Sequence, residues 1–399
     1  MSSSRVTTWL RHPAFIMATV IIHGLSLRMP ILSVSPLLEA ITNDLQLSAT
    51  QAGWLGTIPV LCFGTVALTS QTLTRRWGMD AILLAMFGVL LFGLLVRTLP
   101  SVELLFAGTV LVGAGIAVSN VILPGFIKRE APDQVGPMTA VYSAAISASG
   151  AIGAGVTIPI MNALDLDWRG GLRWPAVVVI AGIVMLIPWQ ISTRSGRKTK
   201  APDRTLHTNL WRNKIAWFVT TYMGMQSLLF FSTTGWLPVY LISEGMSEQR
   251  AGFMLSLSPL LGVAGSFIAP LLVYKRADQR WLIWVSSALC AVGLAGMIWL
   301  PMTATVAWVA MFGFGSGMTL SLALTFIGLR TPDAHHASDL SMMAQAVGYM
   351  IAALGPIGIG FAHDVSGSWP FAFGLILVSS AVLTVVGLGA ARSRFVTDG

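Results

Sequence analysis

Ser48-Ala49-Thr50-Gln51-Ala52-Gly53-Trp54-Leu55 comes back about two hundred residues later as Ser247-Glu248-Gln249-Arg250-Ala251-Gly252-Phe253-Met254. The echo continues outward on both sides. Arg75-Arg76 returns as Lys275-Arg276, and Gly113-Ala114-Gly115, ending in Lys128, returns as Gly315-Ser316-Gly317, ending in Arg330. Gly150-Ala151-Ile152-Gly153-Ala154-Gly155 returns as Gly355-Pro356-Ile357-Gly358-Ile359-Gly360. The offsets run only from about 199 to 205, so the chain is a parallel duplication of one unit.

The unit is apolar throughout. Hydrophobic residues make up 55% of the 399 residues and charged residues only 10%, far from the balance of a water-soluble domain. Twelve apolar runs are long enough to cross a bilayer core. They lie near 15–42, 52–73, 80–98, 102–127, 135–163, 173–193, 213–242, 248–274, 281–299, 303–330, 336–362 and 369–391. Their length predicts helices, because barrel strands would alternate over about ten residues. The fold class expected is an all-α membrane protein of two pseudo-symmetric six-helix bundles. Residues 1–193 form the first bundle, 194–212 a basic cytoplasmic linker, and 213–399 the second. The first run is too long for a cleaved signal peptide and lacks a small-residue cleavage site. Cys62 and Cys290 sit mid-span in different halves and are expected to be free thiols.

A net charge of +8 invites a nucleic-acid reading, but its placement rejects one. If the N-terminus is cytoplasmic and the helices alternate, 19 of the 24 basic residues fall on the inner side, and Arg97, Arg169, Arg173 and Arg250 fall outside. That bias sets orientation, with both termini inside. The pair Asp165 and Asp167 lies in an outer loop and reads as solvated rather than metal-binding. The glycine runs lie inside apolar spans with no strand–turn–helix context, so they read as close helix crossings and not as phosphate loops.

One basic residue remains. Arg28 lies mid-span, in Leu25-Ser26-Leu27-Arg28-Met29-Pro30-Ile31-Leu32. Insertion scales put the cost of such an arginine at about 2.5–3.5 kcal/mol, and it cannot shed its proton as a lysine can. It is therefore expected to face a cavity and a substrate. The bland alternative is that it bonds carbonyls freed around Pro30 and Pro36. Its counterpart in the repeat is Leu228 or Leu229, so the fold itself does not require a charge there. No carboxylate sits mid-span. His23 is five residues from Arg28, about 140° around the helix, and reads as a packing histidine. A cationic cavity without carboxylates suits an anion or a neutral molecule with strong acceptors, such as a nitro group.

Polar and aromatic stripes supply the neighbours. In the seventh span Tyr222, Gln226, Phe230 and Thr233 share one helical face, with Trp236 nearer the membrane interface. Gln345 and Tyr349 share a face of the eleventh, and Asn120 lies in the fourth. Arg28, Asn120, Tyr222, Gln226, Trp236, Gln345 and Tyr349 are the candidate substrate-binding residues. Each of the amides also reads as helix-to-helix glue, and Trp236 as an interface anchor.

The whole chain resembles the major facilitator superfamily, and within it the CynX/NimT family of cyanate and 2-nitroimidazole transporters. The residues that carry the likeness are Arg28 to Leu38, Asn120 to Arg129, Gly235-Trp236-Leu237-Pro238, Gly313 to Gly317 with Leu324 to Arg330, Met343 to Tyr349, and His363 to Trp369. The likeness is closer on the 2-nitroimidazole side. It implies a single-chain secondary transporter in a bacterial cytoplasmic (inner) membrane, working by alternating access around a midplane site. It also implies export of 2-nitroimidazole-type compounds, with uptake or exchange of a small anion such as cyanate as the rival.

The loop after the second span departs from the superfamily pattern. It reads Gln71-Thr72-Leu73-Thr74-Arg75-Arg76-Trp77-Gly78-Met79-Asp80. Arg76 and Gly78 match, the aspartate position holds Arg75, and an acid appears only at Asp80. Arg75, Arg76, Gly78 and Asp80 are the candidate gating residues, and Asp80 reads equally as a helix N-terminal charge.

The partners expected are the lipid bilayer and a small-molecule substrate, with no nucleic acid, no metal and no cofactor. A monomer suffices, and proton-coupled and uncoupled transport both fit. A membrane sensor would need a signalling domain. An enzyme would need a His cluster, carboxylate pair or nucleophile–base arrangement within the spans.

Overall fold

The computed structural model describes residues 12–193, 208–273, 278–300, 302–332 and 334–396. Expectations for Arg5, Arg11, Lys275, Arg276 and residues 194–207 lie outside the described residues, as do the side chains of Arg75 and Lys128. Among the described residues, twelve long helices run through the chain. They are α1 (Pro13–Leu32), α2 (Ala49–Thr65), α3 (Met79–Val96), α4 (Val102–Glu130), α5 (Val135–Leu164) and α6 (Ala176–Thr193). The second half supplies α7 (Lys214–Ser243), α8 (Glu248–Val273), α9 (Arg280–Trp299), α10 (Thr305–Leu329), α11 (Ala334–Ser366) and α12 (Trp369–Ala390). A helix satisfies every backbone group internally, which a lipid interior demands. The outer faces are apolar, with Val177 71%, Leu271 69% and Val365 72% exposed, as suits a protein whose solvent there is hydrocarbon.

Eleven of these rods qualify as membrane spans by length and composition. The exception is α7, which is long enough but carries Thr220, Thr221, Tyr222, Gln226, Ser227, Ser232, Thr233 and Thr234. Nearly all of those side chains are buried in protein, so α7 meets lipid less than its neighbours do. Its polarity follows from its central place in the bundle.

The duplicated stretch that begins at Ser48 is a helix start. Ser48 caps α2 with its side chain, accepting from Gln51 N, while the Gln51 side chain accepts from Ser48 N. The repeated glycines then touch the opposite half. A Cβ on Gly53 would sit 2.7 Å from the Pro356 carbonyl on α11, and one on Gly252 would sit 2.8 Å from the Ala154 carbonyl on α5. The last of the repeated motifs closes the same seams from the other side. A Cβ on Gly360 would lie 2.3 Å from the Ala49 carbonyl, and one on Gly155 would lie 3.0 Å from Ser256. Two seams, α2–α11 and α5–α8, therefore join the halves, and both run to the end where α1 gives way to α2.

The seams differ in one respect. Asp364, near the end of α11, takes hydrogen bonds from Ala49 N (2.9 Å) and Thr50 N (2.7 Å) and from the Thr50 hydroxyl. A carboxylate of one half thus caps a helix of the other. Lower in the same seam Thr57 Oγ1 donates to Ala353 O at 3.0 Å and accepts from Ile357 N at 3.2 Å.

Candidate functional site

Near the middle of the bundle, and extending away from the seam end, lies a cavity of about 420 Å³. Both halves line it. Arg28 and Leu32 come from α1, and Ser147 and Gly150 from α5. Gln226, Ser227, Phe230 and Phe231 come from α7, and Tyr349 from α11. Helices α8 and α10 contribute Ser266, Ser316 and Ser321 among others.

Arg28 is mounted on a disturbed stretch of helix. Ser149 of α5 wedges its hydroxyl into the backbone ladder at that rung. It accepts from Met29 N at 2.7 Å and Arg28 N at 3.2 Å, and donates to Leu25 O. The crossing is close enough that a Cβ on Gly153 would meet the Met29 carbonyl at 2.8 Å. Pro30 lacks an N–H, which removes the next rung. Beyond it Val34 N bonds Ile31 O at 3.2 Å, so the Pro30 carbonyl loses its usual helical donor. Arg97 supplies one instead, through Nη1 at 2.8 Å, while its Nη2 bonds Leu172 O at 3.0 Å. Arg97 is thus 1% exposed and internal, although its position in the sequence places it in an outer connection. The side chain doubles back under the α5–α6 connection, where it bonds these two carbonyls.

The Arg28 guanidinium projects among rings. Its carbon lies 5.5 Å from the Phe230 ring centre and 5.7 Å from that of Phe231. Tyr349 and Tyr142 are the phenols within its electrostatic reach. Phe63 of α2 packs edge-on to Tyr349 at 5.5 Å and so backs that wall. Among the described residues, no protein group accepts a hydrogen bond from the guanidinium, and no acidic side chain lines the cavity. The alternative role, bonding carbonyls around Pro30, is filled by Arg97.

Of the seven candidate binding residues, three meet at the cavity: Arg28, Gln226 and Tyr349. The other four have partners elsewhere. Tyr222 is fully buried against Phe326 and Gly387 inside the second bundle. Asn120 accepts from the Tyr142 hydroxyl at 3.2 Å, joining α4 to α5. Trp236 donates to Pro356 O at 2.8 Å and packs tilted against Trp369 under the seam. Gln345 is exposed and donates to Ser341 Oγ at 2.9 Å, one turn back on its own helix. His23 packs on Phe87 with centroids 4.5 Å apart, and its Nδ1 lies 2.5 Å from Thr19 O, away from the cavity.

At the loop after α2, Gly78 adopts φ +86° between a short helix, Ser70–Trp77, and α3. A residue with a side chain would be strained there. Arg76 is exposed and lies over the Trp77 ring at 4.9 Å. Asp80 is buried and paired with Arg129 of α4, with Nη1 to Oδ2 at 3.0 Å. The pair joins two helices of one half. It is an internal brace within one half, set in the first turn of α3 where the sequence placed an N-terminal charge.

Sequence reasoning passed over the serines of α8 and α10. Their signal is small residues at helical spacing, Gly262 with Ser266 and Gly317 with Ser321. In membrane helices such serines bond local backbone and read as neutral.

Comparison with known proteins places the chain among transporters. The sequence profile of the Major Facilitator Superfamily matches residues 16–356. The 2-nitroimidazole transporter of Escherichia coli (strain K12) is 37% identical over 382 residues, covering 95% of this chain and 96% of that one. The cyanate transport protein CynX of the same strain is 29% identical over 380 residues, covering 94% and 96%. Among solved structures, a bacterial homologue of the human lysosomal transporter Spinster superposes with a TM-score of 0.78 at 12% identity, covering 95% of this chain and 97% of that one.

Proposed function

This chain belongs to the Major Facilitator Superfamily, in the branch of the 2-nitroimidazole and cyanate transporters, and on that premise we propose that it exports 2-nitroimidazole-type compounds with Arg28 as the principal substrate contact. It is a multi-pass membrane transporter that works by alternating access of its two halves. The observation that carries the substrate reading is the Arg28 guanidinium, without a hydrogen-bond acceptor among the described residues and set against the Phe230 and Phe231 rings in a cavity lined by both halves. A guanidinium fork matches a nitro or carboxylate group. Phe230, Phe231 and Tyr349 supply apolar faces for a flat ring. A cavity of about 420 Å³ is far roomier than a three-atom anion requires, which favours the ring compound over cyanate.

The charge bias supports a bacterial cytoplasmic membrane with both termini inside. In that orientation the seam end is the outer end, and the cavity leads toward the cytoplasm, as an exporter loading its substrate needs. A monomer provides both halves of the site.

The test is intracellular 2-nitroimidazole, followed over time in cells lacking the protein, cells expressing it, and cells expressing Arg28→Gln at matched membrane abundance. The expected result is lower accumulation with the intact protein, restored to the level of the empty cells by the variant. Equal accumulation in all three would discard the nitroimidazole reading. Repeating the assay after collapse of the proton gradient separates coupled from uncoupled transport.

A further inference from the structure

The cavity's second wall is specific in a way that the cation on the first does not reveal. Ser266 Oγ lies 3.0 Å from Gly317 O, Ser321 Oγ 2.9 Å from Ser266 O, and Ser316 Oγ 3.2 Å from Gly313 O. A carbonyl can only accept, so each of these hydroxyls is the donor and its single proton is spent. Two of the bonds are reciprocal stitches between α8 and α10, which keeps the hydroxyls from turning toward a ligand. What they offer the cavity is lone pairs. Gln226 follows the same rule. The Met223 carbonyl at 3.1 Å fixes which end of the amide is nitrogen, and that nitrogen also donates to Ser227 Oγ at 2.6 Å. The carbonyl oxygen of Gln226 is left as an acceptor. Ser227 and Tyr349 keep their own protons and stand outside this patch.

We infer that the site is built for a two-ended solute: an acceptor or anionic group on Arg28, and at least one N–H or O–H donor directed at the acceptor patch of Ser266, Ser316, Ser321 and Gln226. The class is a small aromatic or heteroaromatic molecule with a nitro or carboxylate group and a protonated nitrogen or hydroxyl elsewhere on the ring. The inference rests on the reading of Arg28 given above and narrows it. Acceptor-only anions such as nitrite and cyanate would leave the patch facing no donor. A site whose buried polar groups lose their partner rejects the analogue far more strongly than a greasy pocket rejects a missing methylene.

The test is affinity, measured by calorimetry on the purified full chain in lipid nanodiscs, with two matched pairs. 2-Nitroimidazole is compared with 1-methyl-2-nitroimidazole, and 4-hydroxybenzoate with 4-fluorobenzoate, in which fluorine nearly matches the hydroxyl in size. The expected result is that each donor-bearing member binds about tenfold or more tightly than its partner. In Gln226→Leu the ratio within each pair should shrink. Because the readout is a ratio within one protein, a general loss of folding does not imitate it. Equal affinities within both pairs would overturn the acceptor patch and leave the Arg28 reading standing. Nitrite or cyanate binding more tightly than every ring compound would overturn both, as would a protein that binds none of the four.

Discussion

The two walls of the cavity come from copies of one unit and now do opposite things. The first half brings Arg28 on a helix whose backbone ladder is wedged by Ser149 and propped by Arg97. The second half, at the corresponding place on α7, has Leu228 and Leu229, and fills the space with Phe230, Phe231 and hydroxyls whose protons are spent. The seams that join the halves, by contrast, have stayed alike, glycine against backbone in both. Duplication supplied a scaffold that can rock, and chemistry entered where symmetry was given up. A charge on one wall and acceptors on the other also orient a solute, which two identical walls could not do.

The largest effect should come from removing the charge from its wall. Arg28→Leu is expected to lower transport at least about a hundredfold, since charge-assisted hydrogen bonds are the strongest available to a small solute. Adding Leu228→Arg should not restore it. Recovery in the double variant, measured as uptake into proteoliposomes, would show that only the charge matters and not its place. Next, Ser149→Ala should raise KM about tenfold with the maximal rate held, because a displaced contact costs orientation. A change in rate alone would mean that the wedge serves movement rather than the position of Arg28. Asp364→Asn should loosen one seam and not the other. With Leu32→Cys as reporter in a Cys62→Ala, Cys290→Ala background, labelling by an impermeant maleimide from the seam side should rise about threefold. No change would assign closure to the glycine packing alone. Gln345→Ala should alter transport by less than about twofold, as expected for an exposed side chain away from both walls.

The fold was legible because its signals are long. Runs of apolar residues and a repeat of four motifs locate the helices to within a few positions, and α7, expected at 213–242, runs from Lys214 to Ser243. The expected first and second spans, 15–42 and 52–73, are less regular: α1 ends at Leu32 and α2 at Thr65, and each passes through a tighter turn into a separate short helix. The site was legible only in part, and Tyr222 shows why. Its spacing from Gln226 gives the correct direction around the helix axis but says nothing of depth. One turn nearer the helix start, the same direction meets Gly387 of α12 instead of open space. Arg97 fails for a related reason: sequence shows its distance from the helix end, and only the fold shows the carbonyls that draw it inward. The serines of α8 and α10 could not be read at all, because what matters is which atom holds each proton.

The seam glycines also govern how such a protein can change over generations. Where a methyl group at Gly360 would collide with the Ala49 carbonyl, no substitution is neutral, so those positions are closed to exploration. The polar residues of the cavity, Arg28, Gln226 and the serines of α8 and α10, lie apart from those glycines. Mutation is thus channelled toward the residues that choose the cargo, and a lineage built this way can acquire new solutes without first having to reinvent its gate.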